Sequence, residues 1–152
     1  MHFDLGVTED YFLIGIHTDL AAYKLAYLLN QKLKYRFAKA SFELDFKDMQ
    51  SKFSVFEFDD DNRYLTFHLI QNKSLGKVIK ETNDLFSEIE SVNTTFYLIS
   101  EKKKVDYFLK IEGGISSSEL KKIIEQINEI EQIKISYEIN PYELKSKDNL
   151  IF

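Results

Sequence analysis

The chain predicts an α+β fold: a mixed, largely antiparallel sheet with two main helices, built around two similar strand–helix–strand units. Three observations carry that expectation. The tetrapeptide Asp10-Tyr11-Phe12-Leu13 returns as Asp106-Tyr107-Phe108-Leu109. Each copy is followed by a polar link and then by apolar residues at helical spacing: Ala22, Leu25, Ala26 and Leu29 in the first, Leu120, Ile123, Ile124 and Ile127 in the second. Each helical stretch then yields to alternation, Ala38, Ala40, Phe42, Leu44 and Ile133, Ile135, Tyr137, Ile139, the period of a half-buried strand. Ser41-Phe42-Glu43-Leu44 also aligns with Ser136-Tyr137-Glu138-Ile139. The units span 10–44 and 106–139 of a single domain, 1–152. If both strands of a unit share a sheet, the usual right-handed crossover makes them parallel.

The elements follow in chain order. Thr18 or Asp19 is the expected cap of the first helix, because a side-chain oxygen there can accept an unpaired N–H of the first turn. Phe53–Phe58 and Tyr64–Ile70 flank Asp59-Asp60-Asp61-Asn62 and read as a hairpin. Val78, Thr82, Leu85 and Ile89 suggest a further helix. Phe96–Ile99 and Val105–Ile111 flank a lysine turn and read as a second hairpin. Ser116 with Glu119 has capping-box spacing. Asn140-Pro141 starts a short helix to about Lys147, since proline at the first helical position lacks a donor that would be unpaired anyway.

Composition excludes several classes. At 152 residues, 44% of them hydrophobic, the chain can bury one core without staples. It has no Cys, so disulfides, thiol catalysis and thiolate metal sites are absent. Net charge is −5 and Arg36 and Arg63 are the arginines, which argues against nucleic-acid recognition. Asp4, Glu9 and Asp10 with a short apolar run at Tyr11–Ile16 resemble neither a signal peptide nor a spanning helix, so a cytoplasmic protein without membrane partners is expected. His2, His17 and His68 lack metal-ligand spacing. From Asp59, a calcium loop would need Gly at position 64 and Glu at 70, where Tyr64 and Ile70 stand. No cofactor is expected.

Residues 99–107, Ile-Ser-Glu-Lys-Lys-Lys-Val-Asp-Tyr, resemble the signature of the IPExxxVDY family, small proteins of Bacteroidetes bacteria with no assigned activity to carry over. Ile99, Glu101, Val105, Asp106 and Tyr107 match the pattern, and Ser100 stands where it has proline. The resemblance extends through Phe108–Ile111 and the closing Leu144–Phe152. Two readings of the motif remain open. Glu101, Asp106 and Tyr107 form a recognition or acid–base patch, or Asp106 bonds backbone groups at a strand start while Tyr107 fills core.

Two further candidates stand outside the motif. His17 and Thr18, with Gly113, Gly114 and Ser116, lie at the two strand-to-helix junctions, where free N–H groups can hold an anion. The apolar tail Leu150, Ile151 and Phe152 either docks on its own domain or contacts a second chain in a homodimer. The expected function is a non-catalytic protein-interaction module rather than an enzyme. The alternative is a small-molecule-binding regulatory domain with an anion pocket at those junctions.

Overall fold

Successive side chains of a strand point to opposite faces, and here both faces carry apolar residues. Ile14, Ile16, Leu109 and Ile111 belong to one core, Leu13, Phe108 and Ile70 to another. Both faces of the sheet must therefore be covered. The computed structural model describes residues 10–46, 51–80 and 90–152.

In chain order the elements are β1 (Tyr11–Thr18), α1 (Ala22–Leu33), β2 (Ala38–Lys39), β3 (Leu44–Asp45), β4 (Lys52–Phe53), β5 (Val55–Asp60), β6 (Leu65–Gln71), β7 (Lys73–Lys80), β8 (Glu90–Tyr97), β9 (Tyr107–Glu112), α2 (Ser117–Asn128) and β10 (Ile133–Ile139). Six strands form the main sheet in the order β10-β1-β9-β6-β5-β2, and β3-β4 and β7-β8 are separate two-stranded ribbons. The fold is α+β with a largely antiparallel sheet. Every adjacent pair among the described residues is antiparallel, so the parallel pairing expected of a mixed sheet is not found there. The strands of each strand–helix–strand unit do run the same way, but with other strands inserted between them.

Both helices cover one face. Leu25, Ala26 and Leu29 of α1 and Leu120, Ile123 and Ile127 of α2 pack on Ile14, Ile16, Leu69, Leu109 and Ile111. Each fully buried Leu or Ile contributes about 1.5–3 kcal/mol. Tyr35, Phe58 and Phe67 stack at the margin of this core, with ring centroids 4.7 Å apart for Tyr35–Phe67 and 5.7 Å for Phe58–Phe67. Among the described residues no α-helix lies over the opposite face. Leu44 and Phe53 of the short ribbon, Leu98 and Ile99, and Leu144 and Leu150 close it instead.

Two asparagines join helix ends to the strands that follow. Asn30 donates to the carbonyl of Phe37 at 3.1 Å and accepts its N–H at 2.7 Å. Asn128 does the same to Ser136 on β10, at 3.1 and 2.7 Å.

Several local expectations are corrected. Residue Ala21 precedes α1 without a side-chain cap. The Thr18 hydroxyl donates to the Gln132 carbonyl instead, and Ser116 does cap α2 by accepting the Glu119 N–H at 3.2 Å. The alternation Ala38–Leu44 is split between β2 and β3, which belong to different sheets. Val78 lies in β7 rather than a helix, while Thr82, Leu85 and Ile89 fall outside the described residues. The hairpin expected across the lysine turn is not formed: Phe96 and Tyr97 pair with β7, and β9 pairs with β1 and β6. Asn140 caps a single 3₁₀ turn, Pro141–Glu143, and a second follows at Lys147–Leu150.

The repeated tetrapeptides lie on adjacent antiparallel strands but do not face alike. Tyr11 and Leu13 pack with the helix-free face, whereas Tyr107 and Leu109 belong to the helix-covered core.

Glycine positions give a graded test. Gly113 has φ +124°, and a Cβ there would stand 2.6 Å from the Tyr64 carbonyl oxygen. At Gly15 a Cβ would meet the movable end of Ile139 at 2.6 Å, and at Gly114 nothing within 4 Å. Gly113→Ala is expected to cost about 2–3 kcal/mol and Gly15→Ala about 1 kcal/mol. Gly114→Ala should stay within about 1 kcal/mol of the parent or slightly stabilise it. Urea unfolding of the three variants measures the order.

Candidate functional site at the lysine turn

Residues 98–106 carry the chain from the β7–β8 ribbon into the middle of the main sheet, and one side chain fixes that passage. Asn72, between β6 and β7, is fully buried. Its amide donates to the carbonyls of Lys102 at 2.9 Å and Val105 at 2.7 Å, and accepts the Ile99 N–H at 2.8 Å. Its main chain donates to Asp106 and accepts from Leu98, at 3.0 and 2.9 Å. Within this frame Ser100–Lys102 form a 3₁₀ turn, and the Val105 N–H returns to the Lys102 carbonyl at 3.1 Å.

The signature residues divide by what they touch. Ile99 and Val105 are buried in the helix-free core. Asp106 accepts the Thr18 N–H at 2.9 Å and pairs with Lys73 at 2.8 Å. Tyr107 is buried, its hydroxyl donates to the Leu20 carbonyl at 2.6 Å, and burial pushes its pKa up to about 12. Glu101 accepts the Ser146 N–H at 2.8 Å. Partial burial disfavours its ionisation, but hydrogen bonds from its own N–H and from Ser146 outweigh that and hold its carboxyl below the usual range.

The pocket predicted from both strand-to-helix junctions is not assembled. Antiparallel pairing of β1 with β9 sets Tyr11 opposite Glu112 and Ile16 opposite Tyr107, so the two junctions lie at opposite ends of the sheet. Gly113 borders a hollow with Asp10, Glu138 and Glu143, an acidic setting. Gly114 is exposed, and Ser116 is occupied in capping α2. Thr18 is buried with its N–H and hydroxyl both engaged. His17 goes elsewhere: its Nε2 lies 2.8 Å from the Tyr137 hydroxyl, and the pair borders a hollow of about 410 Å³ with Ser100–Val105. Burial, foremost, lowers the His17 pKa; Lys73, Lys104 and Lys134 act in the same direction and Asp106 against it.

A second polar cluster sits on the helix-free face under the chain's last residues. Lys110 is fully buried, donates to the Leu150 carbonyl at 2.7 Å and lies 3.2 Å from Glu112. Its ammonium also stands over the rings of Tyr11 and Phe152, at 4.9 and 4.6 Å. Leu150 is buried in this face, while Ile151 and Phe152 remain half exposed. The Phe152 ring meets His68 edge-on at 4.9 Å and Phe42 at 5.5 Å. His68 is held between Glu57 at 3.6 Å and Glu112 at 3.9 Å, and its buried Nδ1 has no hydrogen-bond partner. Burial, chiefly, lowers its pKa; Lys110 adds to that, and Glu112, Glu57 and Asp59 oppose it.

Among the described residues no group of three or more His, Asp or Glu is arranged to hold a metal ion, and no helix is long and apolar enough to cross a membrane. Comparison with protein-family models, with curated proteins and with solved structures finds no match. Sequence reasoning passed over Asn72 and Lys110. The available signal was a polar residue ending one apolar strand and a lysine inside another.

Two outcomes follow. Asn72→Ala would leave the Ile99 N–H and the Lys102 and Val105 carbonyls without partners. It should cost about 3 kcal/mol or more, against about 1 kcal/mol for Tyr107→Phe, as read by chemical denaturation. For His68, the lowered folded pKa means the unfolded chain binds a proton first as pH falls. Stability is therefore retained above the ordinary value of 6.5 and declines below it. His68→Gln should flatten the stability profile between about pH 7 and pH 5, with a residual slope from His17.

Proposed function

We propose that the protein is a non-catalytic interaction module that self-associates through its β7–β8 ribbon. The supporting observation is that the ribbon joins neither neighbouring sheet and is tied to the rest near one end, where Phe96 packs on the core. Its two eight-residue strands pair with each other from Lys73↔Tyr97 to Lys80↔Glu90. Its hydrogen bonds and ion pairs to other described residues lie at the base: the Ser74 hydroxyl donates to the Lys52 carbonyl at 2.8 Å, Ser51 bonds Ser74 and the Leu75 carbonyl, and Lys73 meets Asp106. Leu75 is nevertheless 77% exposed and, further out, Val92 39% exposed. A lone two-stranded ribbon is marginal in water, and an exposed strand with apolar residues invites pairing with another. A second copy can supply it through twofold symmetry.

The carboxylates of the signature favour the same reading over acid–base chemistry. Asp106 and Glu101 are each turned onto a backbone N–H and serve to hold chain segments together. On this proposal the chain is a cytoplasmic member of the IPExxxVDY family, whose motif is architectural.

Light scattering coupled to size exclusion tests it. The intact chain should run as a dimer and Val92→Lys as a monomer with an unchanged circular dichroism spectrum, since an exposed position tolerates substitution within about 0.5 kcal/mol. A parent chain that stays monomeric on concentration would remove the self-association reading.

A further inference from the structure

We propose that the hollow between the lysine turn and the His17–Tyr137 pair binds a small phosphate ester, its doubly charged phosphoryl group held by Lys102, Lys104 and the Tyr137 hydroxyl. This site is separate from the ribbon and stands or falls independently of it.

Charge comes first. The hollow is bordered by Lys102, Lys103 and Lys104, with Glu101 as the opposing charge. Glu101 is turned to the Ser146 N–H. Lys103 lies over the Tyr97 ring at 5.5 Å. Lys102 and Lys104 have no ion-pair partner among the described residues, whereas the neighbouring Lys73 and Lys134 are paired with Asp106 and Asp19. Like charges bordering one hollow repel one another, and a bound dianion would relieve that repulsion. Other hollows differ in sign: one sets Asp59, Asp60 and Asp61 against Lys34, Arg36 and Arg63, and another is bordered by the acidic Asp10, Glu138 and Glu143.

Rigidity comes second. The backbone that presents the lysines is fixed through the Lys102 and Val105 carbonyls by buried Asn72. A ligand meeting a preformed turn does not bear the cost of ordering it. The floor is equally set, because His17 and Tyr137 hold each other at 2.8 Å across β1 and β10. At about 410 Å³ the hollow falls in the range that small-molecule sites occupy. The partly exposed Tyr137 ring offers apolar surface for the ester's organic part, which free phosphate cannot use.

The field at His17 supplies an internal reporter. Lys73, Lys104 and Lys134 disfavour its protonated form and Asp106 favours it, with Tyr137 as hydrogen-bond partner. A dianion bound beside the ring would favour the charged imidazole and shift its titration to higher pH.

The test is an NMR titration of the full chain with phenyl phosphate and, separately, inorganic phosphate, at constant ionic strength balanced with chloride. Saturable shifts are expected at His17, Ser100–Val105 and Tyr137, with the His17 titration moved upward. Replacing both lysines, Lys102→Ser with Lys104→Ser, should weaken binding by about tenfold or more, the loss expected for charge-assisted hydrogen bonds. Tyr137→Phe should weaken it severalfold. All these side chains reach solvent, and the unperturbed part of each spectrum verifies folding. Shifts spread over Lys121 and Lys122, or binding retained in the double variant, would overturn the site. Inorganic phosphate binding as tightly as phenyl phosphate would overturn the assignment to an ester.

Discussion

The amide of Asn72 is the contact on which the middle of this molecule depends. A strand that leaves a sheet exposes backbone groups, and buried groups of that kind must find partners. Here the chain leaves the main sheet after β6, runs out through the β7–β8 ribbon and re-enters as β9. Asn72 stands at the exit and bonds three main-chain groups of the return path. Exit and re-entry are therefore one structure. β9 then runs between β1 and β6 in the register that sets Leu109 opposite Ile14 on one side and Leu69 on the other.

The two faces of the sheet solve the burial problem differently. The helix-covered face is apolar, and its stability comes from area removed from water. The other is sealed by short segments and contains a buried ammonium, Lys110. Removing such a charge from water costs several kcal/mol unless it is paired and hydrogen-bonded. The Leu150 carbonyl, the Glu112 carboxylate and the rings of Tyr11 and Phe152 meet that requirement together. The last residues thus act as one wall of an ionic site, with His68 beside it.

How much of this was legible depends on the range of the interaction. Both helices follow from apolar spacing, because amphipathicity is a local property, and the β5–β6 hairpin follows from two alternating runs around a polar turn. The second expected hairpin failed because strand partners are chosen by tertiary packing rather than by proximity in sequence. Phe96–Ile99 and Val105–Ile111 look like arms of one turn, yet their partners are β7, β1 and β6. The candidate pocket failed for a related reason: sequence order cannot reveal that β1 and β9 are neighbours running in opposite directions. That pairing also turns Tyr11 and Tyr107 to different faces despite identical flanking residues. His17 was singled out from the sequence for a different pocket, and its neighbours Tyr137 and Ser100–Val105 come from distant segments that sequence order does not bring together.

Asn128 carries a consequence for how this sheet meets others. An open sheet has two edges that could template further strands. At one of them β10 has the backbone of Ser136, at its centre, already occupied by a side-chain amide that imitates a neighbouring strand. At the other edge β2 is two residues long, too short to seed a ladder. The main sheet is open in topology, yet each border gives a further strand a poor template, a protection that barrels reach by closing on themselves.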